Sequence, residues 1–287
     1  MMKGVFLSLV IPTRNRAPRL ARLLESLLPQ VDAEKKLPVE VIAVDDGSDP
    51  DARHNYEEMG RAYGSRLKLI SNPRPLGPGG ARNKGIDAAG GKILAFLDDD
   101  MVPDPSFLAE LIRFHREHPD ILAVNGNLKK YRQDIYADFW YHYYSARFNV
   151  SKTEIYRVTR VSPGNFSIKR TLLRSLSPLF DPSLTAWEDF DLALRLRKLA
   201  VPIYKCDRII ARHDVRSNLR GFLAQKAWFD AGKEQILSKY GPGALADIGD
   251  QAPVPRKLKF LPLYAAQRLA RWRKRLAGSS ARREVVQ

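Results

Sequence analysis

Phe96-Leu97-Asp98-Asp99-Asp100-Met101-Val102-Pro103 decides how this chain is read. Lys92 to Leu97 is a short apolar run behind a Gly pair, which predicts a buried strand. The strand runs straight into three carboxylates. Adjacent anions repel one another and are costly to dehydrate, so the triplet by itself gains a fold nothing. Two readings meet it. One is a solvated acidic turn that caps the next helix. The other is a grip for a hard divalent cation, Mg2+ or Mn2+, whose shell substrate phosphates complete. In an alternating α/β sheet, ligands gather at the carboxyl ends of strands, where this triplet falls.

On the amino-terminal side, Val5 to Ile11 reads as a strand ended by Pro12, and Leu20, Leu23, Leu24, Leu27 and Leu28 recur at helical spacing. Val39 to Val44 is the next strand and ends in Asp45-Asp46-Gly47-Ser48. A helix to about Tyr63 follows, with Asp49 or Asp51 as its cap, then a strand from Leu67 to Ile70. A Pro/Gly loop leads through Gly79-Gly80 into a helix from about Ala81 to Ala89. Four strands alternating with helices predict a mostly parallel sheet with helices on both faces. Two of these strands end in Asp-Asp, which a ligand lying across neighbouring strand ends explains better than two turns do. The loop has neither the phosphate-loop pattern nor the dinucleotide fingerprint, which sets aside a P-loop NTPase and a dehydrogenase. Arg82, opening its helix, reads as a phosphate contact beside free backbone N–H groups or as an exposed charge.

Beyond the triplet, residues 105–118 read as a helix. Its His115 and His118 lack acidic neighbours at ligand spacing and read as surface or capping residues. A strand follows from Ile121 to Asn125. Tyr131, Tyr136, Phe139, Trp140, Tyr141, Tyr143, Tyr144 and Phe148 form either a core stripe or the wall of an acceptor pocket. Ser162 to Ile168 is a turn feeding a strand. Glu188-Asp189-Phe190-Asp191 opens a helix with an inward stripe of Leu192, Leu196 and Leu199. Acids suit a helix amino terminus; beside a metal-diphosphate site, one of them suits a general base. A late strand, Ile209 to Asp214, ends in His213-Asp214, and His213 reads as an ordinary polar residue or a metal ligand. Asn218 to Tyr240 is a long helix closed by Gly241-Pro242-Gly243.

At 287 residues, 44% hydrophobic and 28% charged, the chain suits one large α/β domain or two smaller ones. Its one cysteine, Cys206, rules out an intrachain disulfide, points to a reducing compartment and reads as a small buried side chain. Met1 to Ile11 is not a convincing signal peptide, and no run of about 18 apolar residues predicts a transmembrane helix. Net charge is +16, and residues 253–287 hold ten basic residues against Glu284 alone, a net +9. Such a cluster suits phospholipid, nucleic acid or another polyanion. Within it Leu261, Tyr264, Ala265, Leu269, Trp272 and Leu276 recur at helical spacing, giving an interfacial helix or a basic helix packed on its own domain.

Assembled in order, these pieces resemble the family 2 inverting glycosyltransferases of the GT-A fold, from about Ser8 to Ser217. The matching segments are Val10 to Asn15, Val44 to Ser48, Gly80 to Gly85, Phe96 to Asp100, Gly164-Asn165-Phe166 and Trp187-Glu188-Asp189. The resemblance implies an α/β GT-A domain over 1–217, with a Rossmann-like, mostly parallel sheet, and a basic, helical carboxyl-terminal extension over 218–287. Residues 1–125 would be the nucleotide-sugar half and 126–217 the acceptor half. Pro12, Thr13, Arg14, Asp45 and Asp46 would hold the nucleoside, and Arg82 would lie near it. Asp98, Asp99 and Asp100 would form a D-x-D motif in the donor site, with Asp100 and His213 at a Mn2+ or Mg2+ ion. Asp189, beside Glu188, would be the catalytic base, ionised near neutral pH. Relatives often carry Gly before the Glu-Asp pair, where this chain has Thr185-Ala186-Trp187. The implied donor is a nucleotide sugar, UDP-linked by family habit, and the acceptor a saccharide or lipid-linked saccharide. The implied setting is polysaccharide or glycolipid assembly, with a cytoplasmic enzyme peripheral on the inner membrane face; the basic tail helix adds an anionic membrane surface as a candidate partner. Nucleic acid is not an expected partner, since acids at strand ends repel a polyanion. Two alternatives stand beside this: a metal-dependent nucleotidyltransferase, which releases pyrophosphate, and a basic polyanion- or membrane-binding protein with a vestigial nucleotide site.

Overall fold

The computed structural model describes residues 4–145, 153–244, 257–270 and 272, so Phe148 of the aromatic run and Leu276 of the tail lie outside the described residues. Strands β1 (Leu7–Thr13), β2 (Val39–Asp45), β3 (Lys68–Ser71) and β4 (Ile93–Leu97) lie side by side, all parallel, in the order β3-β2-β1-β4. Between them run α1 (Ala17–Ala33), α2 (Pro50–Tyr63) and α3 (Gly77–Ala88). The strand period of two divides β1 between layers. Leu7, Leu9 and Ile11 meet the leucine stripe of α1, while Val10 joins Ile86 of α3 and Phe96 on the other face. Thr13 pairs with Asp45 at the carboxyl edge of this half, so β1 and β2 end together.

The second half holds β5 (Met101–Pro103), β6 (Ala123–Lys130), β7 (Ile155–Val158), β8 (Asn165–Lys169) and β9 (Ile203–His213), with α4 (Phe107–Glu117), α5 (Ile135–Ser145), α6 (Glu188–Lys198) and α7 (Leu219–Tyr240). β8 sits antiparallel between β4 and β6, joining both halves into one nine-stranded sheet. β9 runs parallel to β6 and carries β7 and β5 antiparallel on its other edge. The parallel arrangement predicted from the sequence therefore describes the first half, and the second half is mixed. Strand direction depends on the connections, which an apolar run does not encode. The β5–β9 pairing sets Met101 opposite His213, and the Asp214 N–H donates to the Asp100 carbonyl at 2.8 Å. This short antiparallel ladder brings the acidic triplet to the late histidine.

Several local expectations change. His115 is a core residue, 5% exposed, with Nε2 2.8 Å from Ser167 Oγ on β8. Burial, helped by Lys169, pushes its pKa down to about 3, so it is neutral. Its spacing from Leu108, Leu111 and Ile112 puts it on the apolar face of α4, and its polar ring is what made it read as a surface residue. Asp49 takes the cap position of α2 but caps no N–H; its Oδ2 accepts from Asn15 Nδ2 at 2.9 Å. Leu199 is exposed because α6 ends at Lys198. Cys206 is buried and free. Helix α7 starts at Asn218, whose Oδ1 accepts from the Gly221 N–H, and stops at Gly241. A further helix covers 261–270, and with it Phe260 and Leu263 pack on Phe139 of α5 and Phe222 of α7. Among the described residues no helix is long and apolar enough to cross a membrane.

Candidate active site

A cavity of about 1120 Å³ opens along the carboxyl ends of β1 and β4 and runs to α5, α6 and α7. Pro12, Thr13, Arg14, Asp46, Arg82, Asp98, Asp99, Asp100, Glu188, Asp189 and His213 all line it. Of the predicted catalytic, donor-binding and metal residues, Asp45 alone stays outside that lining. Its Oδ1 accepts the Ser48 N–H at 3.0 Å, and it braces the turn from below. Asp46 anchors the Pro/Gly loop: Oδ1 accepts from Asn72 Nδ2 at 2.9 Å and the Leu76 N–H at 2.8 Å, and Oδ2 from the Gly77 N–H at 2.9 Å. Gly47, at φ +67°, lets this loop close over the turn, since a Cβ there would lie 2.6 Å from the Arg74 carbonyl carbon.

The three acids of the triplet point to different partners. Asp98 Oδ1 accepts from Arg82 Nη2 at 2.5 Å. Asp99 is buried, taking Thr13 Oγ1 at 2.8 Å and Arg16 Nη1 at 3.0 Å. Burial raises its pKa to about 6 against the pull of Arg16. Asp100 receives Arg19 Nη1 at 3.2 Å and Arg16 Nη1 at 3.4 Å. Burial opposes its ionisation, but His213, Arg16 and Arg19 outweigh burial and hold its pKa below the usual carboxylate range. Arg216 also lines the cavity; burial, then repulsion from Arg16 and Arg19, lowers its pKa. Arg16, Arg19 and Arg216 together form a cationic rim around the acids. Sequence reasoning missed them; for two of them the signal was Arg16 at the cap of α1 and Arg19 in its first turn, right after the first strand end.

Arg82 is buried and bridges the two acidic clusters: Nη2 to Asp98, and Nη1 to Glu188 Oε1 at 2.6 Å. Asn83, its neighbour, holds the loop before α6 by a paired contact with the Phe180 backbone at 2.6 and 3.0 Å. The Gly-Ala-Arg-Asn segment thus ties β4 to α6. Asp189 is left without an ion pair among the described residues; its Oδ1 accepts only the Phe190 N–H, at 2.9 Å. Burial, then the charge of Glu188, push its pKa up to about 7, so the carboxylate expected to stay ionised near neutral pH is instead poised to titrate there. The helix terminus does not offset this.

Trp187, before the Glu-Asp pair, sits in the left-handed region at φ +68°, a conformation that costs a bulky residue and that glycine adopts freely. That is the physical reason a glycine suits this position. The strained turn rests on α7, where a Cβ on Gly232 would lie 2.7 Å from both Ala186 Cβ and Trp187 Cδ1. From α7, Gln225, Trp228, Phe229 and Lys233 complete the wall, so this helix builds the site. The aromatic run of α5 serves both readings. Phe139 packs in the core, while Trp140 stacks on Tyr144 at 4.9 Å and meets His213 edge-on at 4.4 Å.

Asp100 Oδ1 is buried with no hydrogen bond, and His213 Nε2 lies 3.5 Å from it. Among the described residues no three His, Cys, Asp or Glu side chains converge as a cage. A carboxylate and an imidazole facing one another, with open cavity beyond, fit a cation that phosphate oxygens complete.

The chain is similar to known proteins in sequence and fold. The family model "Glycosyl transferase family 2" matches residues 8–177. A pre-mycofactocin glycosyltransferase of Mycobacterium tuberculosis is 26% identical over 238 residues, 81% of this chain and 48% of that protein. A dolichyl N-acetyl-alpha-D-glucosaminyl phosphate 3-beta-D-2,3-diacetamido-2,3-dideoxy-beta-D-glucuronosyltransferase of Methanococcus voltae is 24% identical over 254 residues, 82% of this chain and 74% of that one. The chain thus spans about half of the mycobacterial relative. Among solved structures, a mannosyltransferase from Pyrobaculum calidifontis in complex with GDP-Man and Mn2+ superposes with a TM-score of 0.61 at 20% identity, over 93% of this chain and 70% of that one. The fold is GT-A.

Proposed function

The chain belongs to glycosyl transferase family 2, and from that membership we propose that it moves a sugar from a nucleoside-diphosphate sugar to an acceptor hydroxyl, with inversion. One observation carries the reading. Asp189, a carboxylate with no ion pair among the described residues, shares a single cavity with the carboxylate–arginine cluster of Asp98 to Asp100, and Arg82 links Asp98 to the neighbouring Glu188.

In this reading Pro12, Thr13, Arg14 and Asp46 bound the nucleoside pocket, and Asp45 supports it from beneath. Asp98 and Asp99 hold the donor side in shape through Arg82 and Arg16. The acceptor lies against α5 and α7. Asp189 takes the proton of its hydroxyl, the oxygen bonds to the anomeric carbon, and the bond from that carbon to the diphosphate breaks. Attack opposite the leaving group inverts the anomeric centre. Glu188 is the positioning partner, fixed by Arg82. Arg16, Arg19 and Arg216 offset the negative charge that gathers on the departing nucleoside diphosphate. A Mn2+ or Mg2+ ion held by Asp100 and His213 would supply Lewis-acid stabilisation to that same group. UDP is the proposed carrier. The acceptor is a saccharide or lipid-linked saccharide, and an anionic membrane surface is where a lipid-linked one is met.

A screen of UDP- and GDP-sugars with Mn2+ tests this. The true donor at a hundredfold excess over its Kd stabilises the fold by about 2.7 kcal/mol. Slow hydrolysis should release nucleoside diphosphate. Release of pyrophosphate would instead identify a nucleotidyltransferase.

A further inference from the structure

The tail helix has two apolar faces, and the fold uses one. Phe260 and Leu263 are buried against Phe139 and Phe222, with Tyr264 5.4 Å from the Phe139 ring. Residues advance about 100° per position around a helix, so 261, 265, 268, 269 and 272 form a second stripe roughly opposite Leu263. Those positions are Leu261, Ala265, Arg268, Leu269 and Trp272, all exposed, and Leu258 lies just before them. Leu258 is 84% exposed, Leu261 54%, Leu269 49% and Trp272 57%. Three large apolar side chains on one outward face of the helix, with Leu258 exposed in the turn before it, are more than solubility tolerates at random. Their neighbours are cationic: Lys257 and Arg268 are exposed, and residues 253–287 carry net +9.

We propose that this outward face docks on an anionic membrane surface, the apolar stripe entering the headgroup boundary and the basic residues meeting lipid phosphates. The charge decides the occupant: a second copy of this chain would bring another +9 segment against the first, whereas an anionic bilayer matches it. Position gives the contact a consequence, which rests on the glycosyl-transfer reading above. The buried face of the same helix packs on Phe139 and Phe222, and both line the cavity. Docking therefore holds the acceptor end of the site close to the bilayer and favours an acceptor carried by a membrane lipid.

Co-sedimentation of the full chain with vesicles tests the surface. Binding is expected to phosphatidylcholine vesicles containing phosphatidylglycerol, to weaken with salt, and to fall away on phosphatidylcholine alone. The triple variant Leu261→Gln/Leu269→Gln/Trp272→Gln leaves the packed face intact, so nucleotide affinity and the circular dichroism spectrum should match wild type. Its vesicle affinity should drop roughly a hundredfold or more. Wild type left in the supernatant, equal binding of the triple variant, or equal binding to neutral vesicles would overturn the proposal. So would a concentration-dependent dimer, seen by light scattering, that the triple variant abolishes. Vesicle binding without any sugar transfer would break the glycosyl-transfer reading and leave the docking surface standing; transfer without vesicle binding would do the reverse.

Discussion

Two acidic clusters line one cavity and are bridged by Arg82, and in the sequence they look alike. Asp98-Asp99-Asp100 follows a strand and Glu188-Asp189 opens a helix. In the fold, Asp100 sits among Arg16, Arg19 and His213, and its pKa is held low despite burial. Asp189 has one backbone hydrogen bond and a like charge beside it, and its pKa rises to about 7. The same side chain becomes a permanent anion in one setting and a proton acceptor poised near neutrality in the other. Pairs of carboxylates driven apart in this way mark acid–base assignments.

The largest effect should come from removing the poised carboxylate. Asp189→Asn should cut sugar transfer by about 10²–10⁴-fold while leaving nucleotide-sugar affinity intact; full turnover in that variant would end its role as base. In the other cluster, Asp100→Ala should affect binding. With Mn2+ present, titration calorimetry should register a loss of at least the tenfold to hundredfold that follows even from losing a supporting group of a metal site. Equal affinity for variant and wild type would detach the cation from Asp100.

The pH profile sharpens the contrast. Only ionised Asp189 accepts a proton, so the rate of transfer should fall as pH drops through about 7. Glu188→Gln removes the neighbouring negative charge, so the midpoint should move to lower pH; a profile that stays in place would show that Glu188 does not tune Asp189. The smallest effect concerns the far wall. Trp228→Ala should raise the acceptor KM about fivefold to tenfold through lost aromatic contact and leave the donor KM unchanged.

Much of this was legible from local pattern. The β1–α1–β2 periodicities, the strand before Asp98, and α7 from its Asn218 cap to Gly241 all follow from side-chain spacing and backbone chemistry, which act over a few residues. The acids at the ends of β2 and β4 could be placed because a parallel sheet aligns its carboxyl ends. Less could be read where the partner is distant in the chain. Arg16 and Arg19 are ordinary surface arginines until β4 brings the triplet beside α1, and His115 passes for a surface residue until β8 supplies Ser167.

The amino-acid order by itself determined the strands, the helices and the two clusters of carboxylates, because period, capping and charge are written residue by residue. Tertiary structure decided what each carboxylate is for. A pKa depends on the burial and charges around a group, and for the triplet those charges come from another segment: Arg16 lies 83 positions from Asp99 and 84 from Asp100. It also decided that α7 walls the cavity, through the close approach of Gly232 to Trp187, a contact between surfaces that no local pattern encodes.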